Sequence, residues 1–315
     1  MIDIANLTKH FGPKVAVDNL SLSVQKGQVL GFLGPNGAGK STAMRMITGY
    51  LPPTSGSIVI GGIDMLEDPN AAKALIGYLP ESAPLYQDMT VEGFLSFAAE
   101  LRGLDGQRRR DAVGNALATC FLEGVRRQSI DTLSKGYRHR TCLAQAIIHD
   151  PEVLILDEPT DGLDPNQKDV VRNLIRHMGK TKAIIFSTHI LEEVEACCTR
   201  AVIIDRGKVV ADGTPDHLKR HAARAGSVTV RFQNAPGGLR QDLEKLKYGA
   251  RLEAVETAGS TLSAVVYPKT KADASNLSAE IYELARSRNL ALSELHEEPG
   301  RLDEMFRELT SQNKV

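Results

Sequence analysis

Nine residues constrain this chain more than any others: GPNGAGKST (34–42), set between the apolar run QVLGFLG (28–34) and the segment STAMRMITG (41–49). They match G-x-x-x-x-G-K-[ST], with Gly34, Gly39, Lys40 and Ser41 in the fixed places. The apolar run reads as a buried strand. The following segment has helical spacing and stops at Gly49, as a C-terminal cap would have it. Strand, glycine-rich turn and helix in that order make a phosphate cradle. The glycines admit positive φ and let backbone N–H groups close around phosphate oxygens, while the helix start adds its partial positive charge. Lys40 is expected to reach the β- and γ-phosphates of a nucleoside triphosphate, and the Ser41 hydroxyl to bind Mg²⁺. The nucleotide contacts expected from this loop are Gly34, Pro35, Asn36, Gly37, Ala38, Gly39, Lys40, Ser41 and Thr42.

A second stretch, VLILDEPTDGLDP (153–165), places two carboxylates at the tip of an apolar strand. Burying such a pair is costly unless each acid has a task. Asp157 is placed to join the Mg²⁺ shell, and Glu158, pointing the other way, to polarise an attacking water. FSTHILEEVE (186–195) puts His189 at the exit of another buried strand, where it serves either as a satisfied structural residue or as a γ-phosphate sensor. TLSKGYRHR (132–140) combines a helix-capping Ser134 with Gly136 and four basic residues. Taken alone it is either a solvated helix start or a phosphate-binding device.

These motifs sit in an α/β rhythm that runs to about residue 220. VLILD (153–157), AIIFST (183–188) and AVIID (201–205) are apolar throughout, as strands covered on both faces should be. Helices are expected at 91–102, 108–121, 134–149, 166–178 and 190–198. HAARAGS (221–227) reads as a linker, giving a nucleotide-binding domain over 1–220, a linker over 221–226 and a small α+β domain over 227–315. In that last domain a strand at VTVRF and a helix at LRQDLEKL precede two strands, RLEAVET and LSAVVYP, that turn at AGS (258–260). A helix over 274–288, a strand LALSELH and a helix RLDEMFREL complete it. The order β-α-β-β-α-β predicts a split βαβ, ferredoxin-like unit.

Composition excludes several classes of function. The formal net charge of −1 leaves no electrostatic footprint for nucleic acid or an anionic membrane. No apolar stretch approaches the ~20 residues needed to cross a bilayer, and no charged-then-apolar leader opens the chain. Four cysteines (Cys120, Cys142, Cys197, Cys198) form no C-x-x-C array, so reduced thiols in a cytosolic protein are expected.

Over residues 1 to about 220 the sequence resembles the nucleotide-binding subunit of an ATP-binding cassette (ABC) transporter. KHFGPKVAV holds Phe11 where that family has an aromatic that stacks on adenine. The phosphate loop follows, then GYLPESAPLY (77–86) at the Q-loop, LSKGY (133–137) at the signature motif and LILDEP at the Walker B strand. DGLD (161–164), ending in Asp164, resembles the D-loop, and His189 the switch histidine. The resemblance implies a RecA-like core with antiparallel β and helical subdomains. It also implies a homodimer in which Ser134 and Gly136 of one copy close over the γ-phosphate held by the other. Glu158, His189 and Lys40 are the implied catalytic residues. ATP and Mg²⁺ are the implied cofactors, with Ser41, Glu81 and Asp157 around the metal.

The combination of GYLPE, LSKGY and DEPTDGLDPNQ with a C-terminal extension is similar to the gliding-motility and multidrug-type branch of bacterial type-2 ABC exporters. That likeness implies separately encoded permease partners, no nucleic acid, and a cytoplasmic place on the inner face of the bacterial inner membrane. The domain after residue 226 is expected either to reinforce dimer contacts and set the ATPase response or to be a passive appendage. Three departures stand out: Lys135 and Tyr137 replace a glycine and a glutamine of L-S-G-G-Q, Glu81 stands where a Q-loop glutamine is usual, and His139 where many members carry glutamine. The competing readings are a soluble, non-transport ABC ATPase acting on ribosome or nucleic acid, and a nucleotide kinase or GTPase. The first is disfavoured by the single cassette, the second by the signature, D-loop and switch histidine.

Overall fold

A computed structural model describes residues 1–82, 84–233, 235–258 and 261–311. The chain divides into two compact units, Met1–Pro215 and the remainder from Asp216. The first unit is built on a six-stranded sheet. Its order across is Lys208–Gly213, Arg200–Asp205, Val29–Leu33, Ala183–Thr188, Val153–Asp157 and Ile76–Leu79. All neighbours are parallel except the first pair. Val29–Leu33, Val153–Asp157 and Ala183–Thr188 are buried at every residue, as expected of strands covered on both faces.

One face of this sheet packs against the phosphate-loop helix, Lys40–Ile47, and a second, antiparallel sheet. That sheet runs Lys14–Val24, Ile2–Phe11, Ser55–Ile60, Ile63–Asp64. The opposite face is covered by helices Val91–Leu101, Gly106–Thr119, Lys135–Ile147 and Pro165–Met178, whose apolar sides join one core with Leu154, Leu156 and Phe186. Local chemistry fixes where these helices begin. Thr90 Oγ1 accepts the Gly93 N–H at 3.1 Å, and Asp164 Oδ1 accepts the Gln167 N–H at 2.9 Å ahead of Pro165 at the first helical position. Among the described residues no helix is long and apolar enough to cross a membrane.

The second unit runs β-α-β-β-α-β. Strands Val228–Gln233, Gly249–Ala258, Thr261–Pro268 and Ala291–Glu297 form one antiparallel sheet, with the first strand between the third and fourth. Val228, Val230 and Phe232 meet Leu239 and Leu243 of one helix and Leu277 and Ile281 of the other in its core. Of the turn expected at 258–260, residues 259 and 260 lie outside the described residues.

Burial of one histidine in the helix Lys135–Ile147 yields an acid-sensitivity prediction. His139 is 7% exposed, and neither ring nitrogen has a hydrogen-bond partner. Burial, with Lys135 adding to it, pulls its pKa from 6.5 down to about 4. The unfolded chain therefore binds the extra proton first. The stability this neutral ring allows is complete above pH 6.5 and is lost as pH falls toward 4. Going from pH 7 to pH 5, the wild type should lose about 2 kcal/mol more than a His139→Leu variant. Urea unfolding of both proteins at the two pH values checks this, and equal losses would refute it.

Candidate active site

The parallel register explains why the expected residues converge. Leu33 lies beside Thr188, and Ser187 beside Asp157. Three adjacent strands thus end together, and open α/β sheets bind ligands at the carboxyl ends of their strands. The phosphate loop, His189 and the Asp157–Glu158 pair leave the sheet at that edge.

The loop's shape requires its glycines. Gly39 has φ +108°, and a methyl group there would come 2.4 Å from the Ala16 carbonyl oxygen. Gly39 leads directly into the helix Lys40–Ile47 and has no side chain to cap it, so no N-cap side chain takes up the N–H groups of the first turn, which suits them to an anion. The Lys40 ammonium, 6% exposed, donates to the Gly34 carbonyl at 2.7 Å and lies 3.5 Å from Glu158 Oε1. Glu158 Oε2 is 3.0 Å from His189 Nδ1. Cation, carboxylate and imidazole form a continuous chain.

Behind them Asp157, 1% exposed, accepts a hydrogen bond from Ser187 Oγ at 2.5 Å and lies 3.4 Å from Ser41 Oγ. Ser187 Oγ in turn accepts the Glu158 N–H at 2.9 Å. One hydroxyl therefore fixes both acids. Glu158 itself has φ +49°, a left-handed conformation that costs a non-glycine residue on the order of 1 kcal/mol.

A cavity of about 580 Å³ opens over these groups. Phe11 and, from the loop, Asn36, Gly37, Gly39, Lys40, Ser41 and Thr42 line it, together with Glu81, Glu158 and His189. Gly34, Pro35, Ala38 and Asp157 lie outside its lining; Ala38 and Asp157 are buried. Phe11 is about half exposed, with Lys9 Nζ 5.4 Å from its ring centroid. Lys14, Ala16 and Asp161 also border the cavity. Lys14 carried no motif that singled it out in the sequence.

Ser134, Gly136 and Asp164 do not line this cavity. Ser134 caps its helix, its hydroxyl accepting the Tyr137 N–H at 3.4 Å. A methyl at Gly136 would meet the terminal amide of the Gln167 side chain at 2.1 Å, so the two segments pack closely and that flexible side chain would have to move aside for any larger residue. Asp164 caps the helix that carries Gln167. The signature and D-loop segments therefore meet each other here, and Lys135 adds an ion pair to Asp161 at 3.9 Å. Tyr137 faces Arg140, whose guanidinium lies 4.4 Å from the ring centroid.

A strand, a glycine loop and a helix bearing a buried lysine, with an acid pair at the tip of the strand next but one in the same sheet, define a P-loop nucleoside-triphosphate-binding domain. Residues 17–161 match the family model described as ABC transporter. The chain is 33% identical over 310 residues to Nod factor export ATP-binding protein I of Paraburkholderia xenovorans (strain LB400), covering 98% of this chain and 96% of that protein. It is 36% identical over 224 residues to the probable multidrug ABC transporter ATP-binding protein YbhF of Escherichia coli (strain K12), covering 71% of this chain but 39% of that relative. The same 39% holds for the Shigella flexneri counterpart, so the matched region is less than half of those two relatives. A solved ATP-binding subunit of an ABC transporter superposes with a TM-score of 0.64 at 29% identity, covering 70% of this chain and 92% of that one. The chain belongs to the family of ABC transporter ATP-binding proteins and carries its ATPase cassette.

Proposed function

We propose that this chain is the ATP-hydrolysing subunit of an exporter, working as a homodimer beneath separately encoded permeases on the cytoplasmic face of a bacterial inner membrane. The observation that carries the chemistry is the Lys40–Glu158–His189 chain, at 3.5 and 3.0 Å, on the wall of one cavity. Lys40 binds the β- and γ-phosphates. Glu158 accepts the proton of the attacking water, and His189 holds Glu158 and meets the γ-phosphate. Phe11 stacks on the base.

The residues present fit Mg²⁺. Ser41 Oγ and Asp157 Oδ1 are oxygen donors 3.4 Å apart, and Mg²⁺ favours one or two protein oxygens completed by phosphates and water. When bound, it would neutralise charge on the β- and γ-phosphates. Glu81, which lines the same cavity as Ser41, is a further oxygen ligand for it.

Ser134 and Gly136 stand outside the chain's own nucleotide cavity, which supports a role over a second copy's ATP. Export, rather than uptake, is supported by relatives whose names are export and multidrug proteins. The test is to purify the chain from solubilised membranes, identify a co-purifying permease and measure ATP hydrolysis. A Ser134→Arg variant is expected to bind ATP as a monomer, to form no ATP-induced dimer in sedimentation, and to hydrolyse ATP about 100-fold more slowly. Hydrolysis at the wild-type rate would remove the two-copy reading.

A further inference from the structure

Glu193 holds a position that the chemistry above does not use. It lies on the short helix Leu191–Cys197 and is 1% exposed, which isolates a carboxylate at considerable cost unless it is satisfied. Its two oxygens are occupied by two hydroxyls, one from the turn after Glu158 and one from the end of the strand Ala183–Thr188. Thr160 Oγ1 donates to Oε1, and Thr188 Oγ1 donates to Oε2 at 2.8 Å. Both threonines are themselves buried, at 2% and 0% exposed. Lys168 Nζ and Arg172 Nη2 approach Oε1 from the helix Pro165–Met178, each at 3.9 Å, and offset the buried charge.

What these hydroxyls belong to matters. Thr160 is two residues past Glu158, and Thr188 is one residue before His189. The Thr188 hydroxyl also accepts the Ile190 N–H at 3.0 Å, so it brackets His189 from both sides. Glu158 and His189 come from separate strand exits, yet their side chains stand 3.0 Å apart. Glu158 additionally sits in a left-handed conformation that its surroundings must maintain. Ser187 secures the Glu158 N–H from below. The Glu193 carboxylate is the group that ties the loop after Glu158 to the residue before His189.

We infer that Glu193 is a positioning residue for ATP hydrolysis: by accepting from Thr160 and Thr188 it sets the distance between the water-activating Glu158 and His189. This inference rests on the ATPase reading above. An apolar pair would satisfy the same space without a buried charge, so stability alone gives no reason for a carboxylate here. Geometry does, because a misplacement of about 1 Å costs a reaction about 100-fold.

The experiment compares Thr188→Val and Thr160→Val, which remove one hydroxyl each at near-constant shape, with Thr188→Ser, which keeps it. In the purified full chain, each valine variant is expected to lower kcat about 10- to 100-fold while the ATP dissociation constant stays within about twofold. Thr188→Ser is expected to restore most of kcat. Without nucleotide, the His189 imidazole resonance in Thr188→Val should shift away from its wild-type position, because its contact with Glu158 is loosened. The inference is overturned by unchanged kcat in both valine variants, by a serine variant as slow as valine, or by an unmoved His189 resonance. If Thr188→Val does not fold, Thr160→Val carries the same comparison. A wild-type chain that does not hydrolyse ATP counts against the ATPase reading, and the imidazole resonance then still decides whether Glu193 positions the pair.

Discussion

Replacing Glu158 with glutamine is expected to lower kcat about 1,000-fold while ATP binds with wild-type affinity. The substitution keeps the side chain's length and its reach to His189 Nδ1, 3.0 Å away in the wild type. What it removes is the proton acceptor for the attacking water. The phosphate contacts belong to the loop and to Lys40, which retains its hydrogen bond to Gly34. Affinity and chemistry therefore separate, as they do when an interaction made only in the transition state is lost. If ATP joins two copies, this variant should also accumulate as an ATP-dependent dimer in sedimentation. Steady-state hydrolysis and equilibrium nucleotide binding on the same preparation check the claim. A variant keeping more than about a tenth of wild-type kcat would mean that another group activates the water.

How much of this was legible in the sequence depends on how local each feature is. The phosphate loop could be read directly because its geometry is encoded within nine residues, and Gly39 at φ +108° shows why the spacing tolerates no side chain. The strand tips Asp157–Glu158 and His189 were legible from the uninterrupted apolar runs before them. The antiparallel strands near the N-terminus carried a weaker signal. Ile2–Phe11 loses its alternation at Asn6, which has φ +52°, and its register with the neighbouring strand shifts between Ile4 and Leu7. A period of two cannot survive such an interruption.

The supporting hydroxyls and the buried acid were not legible for another reason. Ser187 acts on Asp157 and Glu158, and Glu193 acts on Thr160, across about 30 residues of chain. Their roles exist only once the strands lie side by side, and in FSTHILEEVE the acid at 193 looks like one of several on a solvated helix. Burial distinguishes it: Glu193 is 1% exposed where Glu192 is exposed. Gly136 has a neighbour that only the folded chain reveals. Its place in the signature segment suggested close approach to a phosphate, and the structure puts the end of the Gln167 side chain where a β-carbon would stand.

Lys40→Met is expected to act on the other half of the site and to weaken ATP binding about 100-fold, or about 2.7 kcal/mol. Methionine fills much of the volume of the lysine stem, so the helix start and the loop should keep their shape. The lost group is the ammonium, which alone in the loop supplies a full positive charge to the phosphates and is buried enough for that charge to be poorly screened. Its removal has a second consequence in the nucleotide-free protein. Glu158 loses the cation 3.5 Å from Oε1 while remaining largely buried, at 11% exposed. Stability should therefore fall by about 1 kcal/mol, less than for a fully enclosed pair because His189 still contacts Oε2 and the cavity admits water. Adding Glu158→Gln to Lys40→Met should return part of that loss, since the amide needs no counter-charge, while nucleotide affinity stays low. Thermal unfolding and nucleotide titration of the four proteins form a double-mutant cycle. Additive stabilities would show that Lys40 and Glu158 do not interact before ATP arrives, and a Lys40→Met affinity within threefold of wild type would place the phosphate contacts on the backbone alone.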